Sequence, residues 1–410
     1  MPNTQELDVM WTEQKAIASD GGPQAWFGSA VAVSGTLALV GAKNATVDSR
    51  ASQGAVYVFR KTGGVWKQVQ KLVASDGASG DQFGSSIALM GTTAIITAQL
   101  ATVNGNFAQG AAYVFALSGK TLVQKQKLVA GHGATYDTFG TSVAFNSTSA
   151  FIGAGGANRG GHYVPRLVYV FRFVPSRTGN DWVERQTLDA PDPSDLTSSF
   201  GTSIAVSETA VFIGARASTI DGNLGQGSVY AYTESNGSWL LTAKLSADDG
   251  AARDNFGVSI ATQGTTVLIG SPGVAVDGSI SEGAVYRFDQ SGEDWLQTQK
   301  FIAKGGAAFE LFGASVSLSK DVALIGAYAT SSYRGAAYVF RNKSGVWTQM
   351  QKLVASQGAP GDVFGYYTAL DTKTALVGSY GAAVDGNPGQ GAAYFFTAPH
   401  LGVQPQSSDD

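Results

Sequence analysis

Phe27-Gly28-Ser29-Ala30-Val31-Ala32-Val33, then Leu37-Ala38-Leu39-Val40-Gly41-Ala42, then Gly54-Ala55-Val56-Tyr57-Val58-Phe59: this order of segments decides the reading of the chain, because it recurs. Phe-Gly returns at Phe83-Gly84, Phe139-Gly140, Phe200-Gly201, Phe256-Gly257, Phe312-Gly313 and Phe364-Gly365, at intervals of 56, 56, 61, 56, 56 and 52 residues. A sustained period of this size marks a repeat architecture built from one supersecondary unit. Each unit holds four short strand-like segments bounded by Gly or polar turn residues. The third is the most regular and opens with Gly54, Gly110, Gly227, Gly283, Gly335 or Gly391; only Leu167-Val168-Tyr169-Val170-Phe171 lacks the glycine. The fourth starts at Trp66, Trp182, Trp239, Trp295 or Trp347 and runs on as in Gln70-Lys71-Leu72. No long stretch has a helical period.

Seven units of four strands predict an all-β fold, a seven-bladed β-propeller with four-stranded blades around a channel. The chemistry of each strand gives its radial place. First strands are rich in Ser, Ala and Gly, as crowding near an axis requires, and third strands are apolar on both faces, as blades packed face to face require. Fourth strands carry Lys67, Lys71, Lys127, Lys300 and Lys352, charges that blunt an outer edge. An orphan fourth-strand pattern, Trp11-Thr12-Glu13-Gln14-Lys15-Ala16-Ile17, precedes the first unit, and the last unit stops at Phe396 without one. The N-terminal strand is therefore expected to complete blade seven and close the ring. Residues 11–396 read as a single propeller domain, with 1–10 and 397–410 as flexible tails.

Composition narrows the partners. Of 410 residues 53 are Gly, and only 14% are charged, against a usual ~25%. The net charge of −4 comes from 27 basic and 31 acidic residues without a basic stripe, which argues against nucleic acid as a partner. No window approaches the ~18 apolar residues of a membrane helix, so membrane insertion is not expected, and Met1–Met10 is polar and acidic, unlike a signal peptide. The absence of Cys removes disulfides, thiolate nucleophiles and Cys-rich zinc sites, and fits an oxidising exterior. The motifs of phosphate loops, nucleophile elbows and His-Glu-x-x-His metal sites are also missing.

Phe-Gly on the first strand with Val40-Gly41-Ala42, Ile213-Gly214-Ala215, Ile325-Gly326-Ala327 and the variant Ile269-Gly270-Ser271-Pro272 on the second resembles the FG-GAP repeat. That resemblance covers about residues 11–396. It implies the seven-bladed propeller of integrin α subunits, also met in bacterial exported proteins and some fungal lectins, and hence a secreted or cell-surface setting. Integrin-like repeats hold calcium in an Asp-x-Asp-x-Asp-Gly loop between the first two strands, since a hard cation needs six or more oxygens. Here the joints are Ser34-Gly35-Thr36, Met90-Gly91-Thr92, Ser207-Glu208-Thr209 and Gln263-Gly264-Thr265, which read as tight hairpin turns. Integrin-type calcium binding does not carry over, and no cofactor is expected.

In a four-stranded meander the loops from strand 2 to 3 and the connections from strand 4 to 1 emerge at one end of the ring. The former contain Asp48, Asn104, Asp221, Asp277 and Asp385, the latter Asp81, Asp137, Asp254 and Asp362, so this end is expected to be the more acidic and the functional one. Asp-Gly and Asn-Gly favour turns, and an Asp before a strand bonds nearby backbone N–H groups. The alternative role for such loops is weak contact with calcium or sugar hydroxyls. The strand-3 tyrosines read as core, and the strand-4 tryptophans as packing or as a stacking surface. Irregular positions supply further candidates: Arg159, His162, Tyr163 and Arg166 in unit three, with Asp192 and Asp195 in its next connection, and Tyr328, Tyr333 and Arg334 in unit six, with Tyr366-Tyr367 in unit seven.

The expected function is a non-enzymatic binding module for adhesion or carbohydrate recognition through this loop face. A lectin with several similar low-affinity sites is its narrower form. The partner is then a glycan or an extracellular protein ligand, and the protein a monomer or small homo-oligomer. The competing readings are a polysaccharide-acting enzyme in the unit-three loops and a structural scaffold in a larger assembly.

Overall fold

The computed structural model describes residues 11–398 except 160–161, 165, 177–178, 193–194 and 196–197. Seven four-stranded antiparallel sheets form the blades of a β-propeller, and one two-stranded hairpin stands beside them. Blade 1 consists of Phe27–Ser34, Leu37–Ala42, Ala55–Thr62 and Val65–Leu72, paired in chain order. Blades 2 to 6 repeat that meander from Phe83, Ser142, Phe200, Ser259 and Ser315. Blade 7 takes Thr368–Asp371, Thr374–Ser379 and Ala392–Thr397 from the C-terminal end and Thr12–Ala16 from the N-terminal end. The closing register runs from Thr12 opposite Thr397 to Ala16 opposite Ala393. Thr397 is therefore a strand residue and not part of a tail. Ala398, also expected in the tail, donates its N–H to Lys373 O at 3.1 Å, and the remaining expected tail residues, 1–10 and 399–410, lie outside the described residues.

Phe-Gly repeats because of what the phenylalanine meets. Phe27 is fully buried and touches Tyr57 edge-on at 5.5 Å, while its N–H donates to Gln390 O of blade 7 at 2.8 Å. Beneath it Gly391 has φ +88, and a Cβ there would stand 2.1 Å from Phe27 O. The glycine that opens the third strand in six of the seven units is thus the seat for the next blade's Phe-Gly backbone. The apolar cores lie between blades, and the first joins Phe27, Tyr57 and Trp66 of blade 1 to Leu376 and Phe395 of blade 7. Trp66 stacks on Phe395 at 4.6 Å and 10°. Trp66, Trp182, Trp239 and Trp347 are buried, so these rings pack between blades and offer no stacking surface. In blades 1 to 6 the outermost pair carries a bulge at the same place, as between Val58 and Phe59, which twists the edge away from pairing with another chain.

Polar clamps tie neighbouring outer strands. Gln14 Nε2 donates to Trp66 O at 2.6 Å, and Trp66 N–H donates to Gln14 Oε1 at 2.9 Å. The same two-bond clamp joins Gln70 to Leu122, Gln126 to Trp182, Gln186 to Trp239 and Gln299 to Trp347. A second clamp runs the other way, from the backbone N–H just after one outer strand to a side chain of the next. Ser19 N–H donates to Gln68, Ser75 to Gln124, Gly131 to Glu184, Asp248 to Gln297, Lys304 to Gln349 and Ser356 to Glu13.

Candidate functional site

The strand 2 to 3 loops and the strand 4 to 1 connections do meet at one end of the ring. Gly80 N–H donates to Ala51 O at 2.9 Å and Gln82 N–H to Ser52 O at 3.0 Å, and each later seam has a counterpart of this contact except the one beside the partly described unit-three loops. The carboxylates at this end are mostly structural. Asp81, Asp137, Asp254 and Asp362 each accept the backbone N–H three residues earlier, at 2.6–2.8 Å. Asp20, Asp76 and Asp249, a set that sequence reasoning missed, each take a tyrosine hydroxyl and a lysine ammonium: Tyr57 and Lys71, Tyr113 and Lys127, Tyr286 and Lys300. Burial alone would raise the pKa of Asp20, but hydrogen bonds from Lys71 and Tyr57 outweigh it and hold the carboxyl below its ordinary value.

Asp221, Asp277 and Asp385 sit at exposed turn tips with φ of 48°, 47° and 49°, each followed by a positive-φ glycine. Positive φ at both central residues is the geometry of a type I′ hairpin, which explains Asp-Gly there without a ligand. Reciprocal backbone bonds close each loop, as between Ile220 and Asn223. Among the described residues no group of three or more His, Asp or Glu is placed to hold a metal ion. In unit three, Arg159 pairs with His162 and Asn158 with Tyr163 across the short hairpin Ala157–Arg159 and His162–Val164; their side chains lie outside the description, and with them the pairing of His162 with Asp192 or Asp195. Arg166 is half-buried at the start of the next strand and engaged by a neighbour. Asp195 Oδ2 accepts the Thr219 N–H at 3.0 Å.

The residues that converge are those around the channel mouth. A cavity of about 770 Å³ opens there, walled by Ser and Thr of the inner strands, including Ser86, Ser142, Ser203 and Ser315. A second, more open cavity of about 260 Å³ is lined by Val33, Leu89, Val206 and Leu370 together with Thr262, Ser317 and Thr368. Two positions of each unit overhang the mouth. One follows strand 2: Lys43, Gln99, Gly155, Arg216, Pro272, Tyr328 and Tyr380. The other precedes Phe-Gly: Trp26, Gln82, Thr138, Ser199, Asn255, Leu311 and Val363, all held at φ of 50–59°. The left-handed conformation is costly for a non-glycine residue, and its repetition in every unit shows how firmly the Phe-Gly seat imposes the turn.

These overhanging residues differ from blade to blade and sort into sectors. Blades 6, 7 and 1 carry an arc of rings in mutual contact: Tyr333 to Tyr328 at 6.3 Å, Tyr328 to Tyr366 at 4.5 Å, Tyr366 to Tyr380 at 5.3 Å and Tyr380 to Trp26 at 5.5 Å, with Tyr367 behind Tyr366 at 4.9 Å. Tyr328, Tyr366 and Tyr367 line the cavity itself, and Lys43 Nζ lies 5.2 Å over the Trp26 ring. Burial, then the Tyr366 and Tyr328 hydroxyls, push Tyr380 up to about 12; burial, then Tyr366 and Tyr333, also raises Tyr328, so both stay protonated and able to donate. Amides fill the sector of blades 1 and 2, where Gln99 bonds Gln82 and Gln82 bonds Asn44. Arg216, Arg253 and Asn255 line the cavity at blades 4 and 5. The structure thus brings Tyr328 and Tyr333 together with Tyr366 and Tyr367, and separates Arg334 from them: its side chain packs over Gly358 in the outer connection. Trp26, Tyr380, Arg216, Arg253 and Asn255 were missed. The signal that would have found most of them is alignment of the units on strand 2 and on Phe-Gly, where these columns vary between constant flanks.

Six segments, 11–59, 66–115, 122–171, 239–288, 295–340 and 347–396, match the family model described as FG-GAP repeat. The chain belongs to the FG-GAP repeat family. No curated protein matches it. Each FG-GAP match runs from an outer strand of one blade through the third strand of the next, so the family unit spans a seam and not a blade. The stretch between the third and fourth matches, 172–238, contains Arg216 and the connection after unit three. An FG-GAP propeller points to a binding or recognition module. Among the described residues no helix is long and apolar enough to cross a membrane.

Proposed function

We propose that the protein is an extracellular, non-enzymatic carbohydrate-binding module whose site is the mouth of the propeller channel. The observation that carries this reading is the arc of rings from Tyr333 through Tyr328, Tyr366 and Tyr380 to Trp26, beside a cavity walled by hydroxyls. A saccharide offers an apolar C–H face that stacks on such rings and hydroxyls that pair with Ser, Thr, Tyr and amide groups. The arc does not stabilise the fold in a way the ring requires, since the equivalent positions elsewhere are Gln99, Gly155 and Pro272. The asymmetry of the mouth supports one principal ligand per chain in place of several equivalent outer sites. Exposed rings do occur on the rim, where Phe107 meets Tyr136 at 5.5 Å, but the other turns do not repeat that pair.

A glycan array followed by calorimetry tests the proposal. The wild type binds selectively with a stoichiometry near one, with and without a chelator. Removing one cavity-lining ring, Tyr366→Ala or Tyr328→Ala, costs on the order of 1–2 kcal/mol, about 5- to 30-fold in Kd, while Tyr136→Ala on the rim leaves Kd unchanged. Equal affinity for the wild type and both mouth variants would overturn the assignment of the site.

A further inference from the structure

The mouth has a charge asymmetry that the protein as a whole does not share. The net charge is −4, and the loop end carries many carboxylates, yet no Asp or Glu lines the cavity, whereas Arg216 and Arg253 do. Several acidic groups of that end are engaged by backbone and lysine contacts, as with Asp254 on Ala251 and Asp249 on Lys300. Among the described residues neither arginine forms an ion pair. Arg216 is half-buried and Arg253 exposed, and a guanidinium facing a concave wall without a counter-ion is a ready partner for a carboxylate or sulfate, to which it presents a planar fork of donors. Asn255, beside Arg253 on the same lining, adds an amide able to pair with sugar hydroxyls.

We propose that the mouth selects acidic saccharides, with a ring stacked on Tyr366 and Tyr328 and its anionic substituent held by Arg216 and Arg253. The proposal rests on the carbohydrate-binding reading above and adds the chemical class of the ligand. Uronic acid carboxylates and sulfate esters share the chemistry concerned, an anion fixed to a saccharide ring. Ligand length follows from the same cavity: about 770 Å³ accommodates a short oligosaccharide more readily than a single residue.

The test uses the full chain and matched pairs: oligogalacturonate against its methyl ester, and a chondroitin sulfate oligosaccharide against desulfated chondroitin. The more highly charged member of at least one pair should bind tenfold or more tightly than its partner, with a preference that shrinks as salt rises. Which pair shows the preference separates carboxylate from sulfate recognition. Arg216→Gln and Arg253→Gln, which remove the charge but keep a polar, hydrogen-bonding side chain, should each reduce that preference at least threefold while binding of any neutral glycan found on the array persists. Thermal unfolding confirms that the variants are folded. Equal binding within both pairs together with no preference for them over neutral glycans, or an acid preference that survives loss of both arginines, overturns the inference and leaves the carbohydrate reading standing. If no glycan on the array or in the pairs binds the wild type, the carbohydrate reading fails and the inference fails with it.

Discussion

Blade 4 lacks one clamp at each of its two seams, and a single substitution should strengthen it. Each outer strand offers two clamp side chains, and at five seams both are used. At the seam of blades 4 and 5 the position corresponding to Gln70 is Ala243, so no side chain reaches the backbone of Trp295, although Gln297 still accepts from Asp248 N–H at 3.2 Å. At the seam of blades 3 and 4 the position corresponding to Gln68 is Leu241, and its usual donor, the residue after Ala190, is Pro191, which has no N–H. The acceptor is missing where the donor is missing, as expected if these bonds matter. Gln70 makes two bonds, to Leu122 O at 2.8 Å and from Leu122 N at 2.9 Å. A net ~1 kcal/mol for each gives about 2 kcal/mol lost in Gln70→Ala, and Ala243→Gln should add about 1 kcal/mol after the entropy of ordering a glutamine is subtracted. Urea unfolding followed by tryptophan fluorescence reads the global change, and hydrogen exchange reads the local one: the amide of Leu122 loses protection in Gln70→Ala, and that of Trp295 gains it in Ala243→Gln. If Ala243→Gln leaves both stability and Trp295 exchange unchanged while Gln70→Ala costs less than about 0.5 kcal/mol, the clamp reasoning is wrong.

Deleting residues 1–20 should open the ring, since it removes the outer strand of blade 7, the Gln14 clamp on Trp66 and the Asp20 partner of Tyr57 and Lys71; a truncated chain as heat-stable as the full one would refute the closure. Asp20, Asp76 and Asp249 have folded pKa values below the ordinary one, so their contribution is present above the unfolded pKa of about 3.9 and is lost as pH falls through the lower folded values. In the same connections burial, against the Ala78 and Ala251 N–H bonds, raises Asp81 and Asp254, whose contribution is present at low pH and lost as pH rises through the folded value. Acid unfolding of Asp76→Asn should therefore be less steep than that of the wild type, and that of Asp81→Asn steeper, as measured by unfolding free energy between pH 2 and 6. Addition of calcium or a chelator should leave the melting temperature unchanged, because no integrin-type loop is present; a shift of several degrees with calcium would reveal a site that these residues do not explain.

The fold was legible because the same structural demands recur in most of the seven units. Phe27 needs a seat on Gly391, Trp66 needs Phe395, and the outer edge needs Lys71, so the same residue types return at the same offsets and strand order follows from chemistry. The site was only partly legible, because it is assembled from residues that do not repeat and lie far apart in the chain. Tyr328 and Tyr366 drew attention as departures from their units, but Trp26 and Tyr380 join them only through ring closure, which carries the first and last blades to one side of the mouth. Arg216 lies in a unit that otherwise looks regular. Arg334, singled out as irregular, is irregular for a structural reason, replacing a residue that packs over a glycine of the next connection.

The positions that vary share a physical property. The residue after strand 2 projects beyond the sheet, and no clamp between blades passes through its side chain, so Lys43, Gly155, Arg216, Pro272 and Tyr380 stand at equivalent places without altering any seam. Positions that carry a clamp behave in the opposite way: when Pro191 removes a donor, Leu241 replaces the acceptor across the seam. Constant seams and a free inner rim let a seven-fold scaffold carry a site with no symmetry. Exchanging the rim residue of one blade for that of another should then change binding and leave stability alone. Arg216→Tyr is the direct case: the melting temperature should stay within about a degree while preference for an anionic ligand is lost, and a large destabilisation would mean that the rim is tied to the ring after all.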